Sequence, residues 1–167
     1  MANKSVTKTP STHFAQFFFF FGFINEERFE KLVQKLTAKL GGAGDQASPQ
    51  EVADLLLDQK ILDEEDVAKA RAAFLNLPYI DLRNVNITQE VLAIIPEESR
   101  TFYRMVPYEL KGSDLKVALE DPSNIQALEA LEFLGQKANY QIHIYLGSRA
   151  SIATALKGSK NLSVVVG

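Results

Sequence analysis

The chain has 167 residues, 46% of them apolar, no cysteine, and a net charge of −3 from 18 basic and 21 acidic side chains. That apolar share is enough for a core and argues against full disorder, while charges of both signs spread along the sequence provide no basic face for nucleic-acid phosphates. The absence of cysteine excludes disulfides, thiolate zinc sites and a cysteine nucleophile, and fits a reducing compartment, so a cytoplasmic location is expected.

Residues 1–11 are polar and unpatterned and read as a disordered lead. Phe14 to Ile24, with five consecutive phenylalanines from Phe17 to Phe21, is too short to span a bilayer, which takes about 20 apolar residues. No small-residue cleavage site follows it, so it is not a signal peptide. It reads as a buried helix capped by Thr12 and closed by Gly22, with docking onto a partner or a membrane interface as the alternative. Asn25 then caps a second helix whose Phe29, Leu32, Val33, Leu36 and Leu40 share one face.

Gly41-Gly42-Ala43-Gly44 breaks the chain. Ser48-Pro49-Gln50-Glu51 restarts it with a capping serine, a proline at the first helical position and a glutamate at capping-box spacing. Val52, Leu55 and Leu56 give this third helix its apolar stripe. A fourth begins at Asp63, with Val67, Ala70 and Phe74 expected to face its core. Phe23-Ile24-Asn25-Glu26-Glu27-Arg28-Phe29 aligns with Ile61-Leu62-Asp63-Glu64-Glu65-Asp66-Val67, so the four helices read as one helical pair used twice, over residues 12–76.

Beyond Pro78 short apolar runs replace long helices. Thr88 to Ile95 and Glu97 to Tyr103 read as short helices separated by Pro96. Arg104 to Leu110 and Leu115 to Glu120 form a hairpin turned at Gly112. Asp121-Pro122-Ser123 opens a helix with Ile125, Leu128 and Leu131 on its inner side, ended by Gly135. Tyr140 to Leu146 alternates as a half-buried strand, and Ser148 to Leu156 forms a last helix. Residues 157–167 have linker composition. The expected fold is α+β: the helical subdomain, then over residues 77–156 a three-stranded sheet with helices on one face.

Motifs for chemistry are sparse. Gly42-Ala43-Gly44-Asp45-Gln46-Ala47 fits a dinucleotide fingerprint in letters but follows a helix where that fingerprint needs a strand. No G-x-x-x-x-G-K-S/T sequence occurs, so this chain is not expected to hydrolyse ATP by itself, and it needs no cofactor. His13 and His143 have no carboxylate at ligand spacing, which gives no support for a metal site or a triad. Glu26-Glu27, Glu64-Glu65 and Glu97-Glu98 each fall in the first turn of a helix, where acids complement the dipole, so catalytic roles are not assigned. Arg100 and Arg104, beside Phe102 and Tyr103, are read either as a recognition patch or as ordinary hairpin surface.

Four blocks in order carry a resemblance: Leu77-Pro78-Tyr79-Ile80-Asp81-Leu82, Ile95-Pro96-Glu97, Met105-Val106-Pro107, and Leu115-Lys116-Val117-Ala118-Leu119-Glu120-Asp121-Pro122. Together they resemble the N-terminal domain that precedes the motor in ATPases of type II secretion and type IV pilus assembly. The resemblance runs from Thr12 to Leu156 and is strongest after Leu75. It implies a non-catalytic regulatory and docking domain, held at the inner membrane through platform proteins or other cytoplasmic components of the machine. ATP and magnesium would belong to a motor domain following in the same protein; a free-standing adaptor with the same fold is an alternative. Phe17, Phe21, Phe23 and Phe29 are the expected apolar anchors wherever the helical pairs leave them uncovered.

Some members of that family bind cyclic di-GMP through a duplicated arginine-leucine-glycine-x-x-leucine motif preceding a glycine and ending in a glutamine. Here the first copy, anchored on Gly22, has His13, Phe14 and Ala15 at the first three positions, Phe18 at the later leucine and Leu36 at the glutamine. The second, anchored on Lys60, has Glu51, Val52 and Ala53, retains Leu56, and has Phe74 in place of glutamine. Lost arginines remove guanine stacking and phosphate pairing, alanine crowds the approach to the backbone, and Glu51 repels a dianion. Cyclic di-GMP binding is therefore not expected, and a sensor domain that binds it through altered residues is kept as the alternative function.

Overall fold

The computed structural model describes residues 25–39 and 49–165. The chain forms two compact units, Met1–Phe74 and Leu75–Gly167. In the first, α1 spans Glu26–Lys39, α2 Pro49–Asp58 and α3 Glu64–Phe74. The expected lead, the phenylalanine-rich first helix and the Gly41–Gly44 break lie outside the described residues, as do the side chains of Phe29, Leu32, Val33 and Leu36.

Local hydrogen bonding sets the helix ends of this unit. Asn25 Oδ1 accepts from the Arg28 amide at 3.0 Å and Asp63 Oδ1 from the Asp66 amide at 2.8 Å, as N-caps do. α2 closes through a Schellman turn: the Ile61 amide donates to the Leu56 carbonyl at 2.9 Å and the Lys60 amide to the Leu57 carbonyl at 3.0 Å. Lys60 therefore takes a left-handed conformation with φ 52°. Leu55, Leu56, Val67 and Ala70 are buried as expected, together with Ala53, Ala68 and Ala72. Phe74 is not a core residue; it is exposed at the last position of α3.

In the second unit, β1 is Tyr79–Ile80, followed by a 3-10 turn at Leu82–Asn84, α4 at Gln89–Leu92, α5 at Glu97–Tyr103, β2 at Met105–Lys111 and β3 at Asp114–Leu119. α6 (Ile125–Ala138), β4 (Gln141–Gly147) and α7 (Arg149–Val165) complete it. The sheet order is β1-β4-β3-β2, with β2 and β3 antiparallel and the other pairs parallel. The α+β class holds, with four strands where three were expected. β1, two residues pairing with Leu146 and Gly147, is too short to leave a periodic signal.

Helices cover both faces of the sheet, not one. Leu115, Val117, Leu119, Ile142 and Ile144 point to one side and pack with Ala127 and Leu131 of α6. Val106, Tyr108, Ala118 and Tyr145 point to the other and pack with Ile152 and Leu156 of α7 and with Leu82 and Leu92. β2 gains one residue at Tyr108, where the register shifts between Pro107 and Glu109. That bulge returns Leu110 to the face of Met105. Pro107 is tolerated because β2 is an edge strand and a proline there removes no ladder bond.

Gly112, with φ 60°, opens the two-residue loop between β2 and β3. Gly135 does not end α6 as expected; the helix runs on to Asn139, a left-handed cap with φ 57°. Glycine is required at 135 by proximity, since a Cβ there would lie 3.0 Å from the Tyr140 carbonyl and 3.1 Å from Ile142 Cγ1. The N-cap of α6 is Asn124, whose Oδ1 accepts from the Ala127 amide at 3.2 Å, while Ser123 instead bonds Asp121. Ile125 is 69% exposed, not an inner residue. α7 extends to Val165, through the stretch with linker composition.

Leu115→Ala should lower the unfolding free energy by about 2–5 kcal/mol in urea titration, because it empties a fully buried site. Ile125→Ala should change it by no more than about 0.5 kcal/mol.

Candidate functional site

Three places in the described residues carry more than packing. The first is a charge cluster at the ends of α5 and β3. Arg104 ends α5 in a left-handed conformation, φ 52°, with its amide on the Arg100 carbonyl. This geometry turns its Nε onto Glu120 Oε2 at 2.8 Å, while Arg149 Nε reaches Glu120 Oε1 at 3.2 Å. The Glu120 amide in turn donates to the Arg104 carbonyl at 3.1 Å. One carboxylate thus ties together the end of α5, the end of β3 and the start of α7.

Arg100 does not share that surface. It is 7% exposed, and its Nε and Nη1 are buried without a hydrogen-bond partner. Burial lowers its pKa from the ordinary guanidinium value, and the Glu97 carboxylate partly opposes that shift. The expected patch of Arg100 and Arg104 is therefore split: one guanidinium lies inside and the other is held by Glu120. Helical geometry is the reason, since Arg100 falls on the face of the short α5 that turns inward. Phe102, on the other face, is 74% exposed.

The second place is a groove of about 560 Å³ between α6 and β4, lined by Leu128, Leu131, Glu132, Gly135, Gln136, Tyr140, Ile142 and Ile144. Its walls are mostly aliphatic, which suits an apolar side chain. Phe133, 67% exposed, stands on the same helix.

The third is the end of α2, where the second degenerate motif falls. Leu56 is fully buried and Ala53 nearly so. Lys60, at the motif's glycine position, has the positive φ that glycine adopts most readily. The side chains of Glu51 and Val52 lie outside the described residues, as do His13, Phe14, Phe18 and the proposed anchors Phe17, Phe21, Phe23 and Phe29.

His143 Nε2 lies 2.8 Å from Asp114 Oδ1 across neighbouring strands, both side chains about half exposed. Among the described residues no group of three or more acidic or histidine side chains is placed to hold a metal ion, and no helix is long and apolar enough to cross a membrane. On the α7 side of the sheet the Tyr108 and Tyr145 rings meet edge to face at 5.5 Å, and burial, followed by the Tyr145 neighbour, raises the Tyr108 pKa. That phenol stays protonated and structural.

The family model for the MshEN domain matches residues 75–160, more than half of the chain. The chain belongs to the MshEN domain family. Over 81 residues it is 32% identical to the type IV pilus assembly ATPase PilB of Myxococcus xanthus, a stretch that covers 48% of this chain and 14% of that protein. The chain thus spans a small part of this relative's length. A solved structure of MshE with cyclic di-GMP superposes with a TM-score of 0.66 at 20% identity, covering 87% of this chain and 97% of that one. The N-terminal domain of XpsE gives 0.56 at 16% identity, covering 90% and 95%. At these identities the likeness is one of fold. The relationship to N-terminal domains of pilus and secretion ATPases, read from Leu77 to Pro122, is the one found, and in this MshEN chain those blocks build β1, the α4–α5 junction, β2 and the end of β3.

Glu120→Gln should destabilise the second unit by about 1 kcal/mol at low salt, by loosening both arginines. Urea titrations at about 0.05 and 1 M sodium chloride should show the loss shrinking as the ion pairs are screened.

Proposed function

We propose that this MshEN domain is a non-catalytic docking and regulatory module of a type IV pilus or type II secretion ATPase, binding cytoplasmic parts of the inner-membrane platform and positioning a motor that carries ATP and magnesium. The observation that carries the reading is the match over residues 75–160 together with the 32% identity to a pilus assembly ATPase. The sites support it: an apolar groove beside α6 and exposed Phe102 and Phe133 suit protein contacts. On this reading the module is cytoplasmic and peripheral, reaching the membrane through its partners.

One observation favours a second reading, cyclic di-GMP sensing. The fold is that of MshE, whose structure contains the dinucleotide, and Lys60 takes a glycine-like conformation at the motif position. Against it stand the replacements at His13, Ala15, Glu51 and Ala53, which take away the arginines and glycines that would hold guanine and phosphate.

The deciding experiment is coprecipitation of the native protein with the platform proteins from detergent-solubilised inner membranes, beside a calorimetric titration with cyclic di-GMP. The docking reading expects specific recovery of a platform protein and no saturable heat with the dinucleotide. Saturable heat without platform recovery would replace it with the sensor reading.

A further inference from the structure

We infer that the outer face of α5 docks a basic cytoplasmic loop of an inner-membrane protein, with Phe102 as the apolar anchor; this deepens the docking reading and rests on it. A short helix on a soluble unit ordinarily buries its aromatic side chain and leaves its arginine in water. α5 does the reverse: Arg100 is 7% exposed with Nε and Nη1 unpartnered, while Phe102 is 74% exposed. Two residues apart, they sit about 200° round the helix on opposite faces, so rotating α5 half a turn would exchange them. Pro96 at its start and Arg104, bonded to Glu120 at its end, hold it in the less favourable register.

Phe102 is also fixed in direction. The Tyr103 ring meets it edge-on, with centroids 4.9 Å apart at 86°. Around it lies an open groove of about 690 Å³ lined by Pro96, Glu97, Glu98 and Thr101. An exposed phenyl beside two carboxylates, in a groove with no cation among its lining residues, suits a guanidinium or ammonium carried on an apolar stem, which stacks on the ring and pairs with the acids. Nucleic acid and anionic lipid are disfavoured by the same two carboxylates. Cytoplasmic loops close to membrane spans carry an excess of lysine and arginine, so a platform protein presents this chemistry where the module would meet it.

The test places a photoreactive benzophenone amino acid at Thr101 of the protein in its native cells and sequences the peptide that becomes attached. The expected peptide comes from an integral membrane protein and has more Lys and Arg than Asp and Glu. Its yield should fall roughly tenfold with Phe102→Ala and roughly fivefold with Glu97→Gln and Glu98→Gln together. The thermal midpoint of the Phe102→Ala protein should not move. An acidic or soluble adduct, a yield indifferent to both variants, or a midpoint lowered by Phe102→Ala overturns the inference. Coprecipitation of a platform protein with no adduct at Thr101 overturns the α5 site and leaves the docking reading standing; loss of both results overturns both.

Discussion

Burial of β3 on both sides constrains everything else in the second unit. Leu115, Val117 and Leu119 face α6 and Ala118 faces α7, each with no exposed surface. A strand so enclosed has to lie inside a sheet, so β2 and β4 flank it, and both faces need helices. The parallel step from β3 to β4 supplies α6 as its crossover. The chain then turns at Gly147 and Ser148 to lay α7 on the opposite face. Gly147 permits that turn because a Cβ there would meet Ile152 Cδ1 at 3.0 Å, and Ser148 Oγ caps the new helix through the Ser151 amide at 3.0 Å. The small Ala118 suits the position where Tyr108, Tyr145 and Ile152 converge.

Charged side chains on this sheet are paired: Glu109 of the edge strand β2 with Lys116, Asp114 at the start of β3 with His143, and Glu120 at the end of β3 with Arg104 and Arg149. Lys116 holds the Glu109 carboxyl below its ordinary pKa, and Glu109 holds the Lys116 ammonium above its own. These pairs are too exposed to contribute much stability individually. Glu120 differs because it joins three elements at once, so its contribution lies in fixing how α5 meets the sheet. Each of these carboxylates has a cationic or histidine partner, and the buried phenol of Tyr108 is held protonated.

Local chemistry was legible in the sequence where one residue sufficed to carry it. Asn25 is read as a cap from its own side chain and does cap, and the helices read as beginning at Asp63 and Thr88 are capped by those residues. Gly112 is read as a turn from its conformational freedom. What failed needed knowledge of a neighbour. Gly135 reads as a helix end, yet its reason is the carbonyl of Tyr140 packed against it. Ile125 fits an apolar rhythm with Leu128 and Leu131, but as the first residue of the helix it lies beyond the sheet-facing cluster of Ala127 and Leu131 and stays exposed. The second core was hidden because Val106, Tyr108, Ala118 and Tyr145 occupy alternate positions that a one-faced sheet would give to solvent, although the nearly unbroken apolar run from Leu115 to Leu119 was a signal of two-sided burial. Of the site, the family blocks were legible and the surface was not: sequence put Arg100 outside and left Phe102 unremarked as an anchor.

The inversion at α5 marks where stability and recognition part. A unit shaped only by its own folding would bury the phenyl ring, since hiding an aromatic side chain stabilises by about 1.5–3 kcal/mol, whereas burying the Arg100 Nε and Nη1 without hydrogen-bond partners is unfavourable. Both departures fall on one seven-residue helix, and the clusters packed on either side of the sheet are built from aliphatic and tyrosine side chains. Local departures from good packing in an otherwise consistent fold are expected where another molecule completes the surface. Once a partner covers Phe102, the apolar area exposed in the isolated module becomes contact area, and the register held by Pro96 and Arg104 turns from a defect into pre-organisation. If the docking proposal holds, that contact lies on the β2 side of the sheet, where α5 packs.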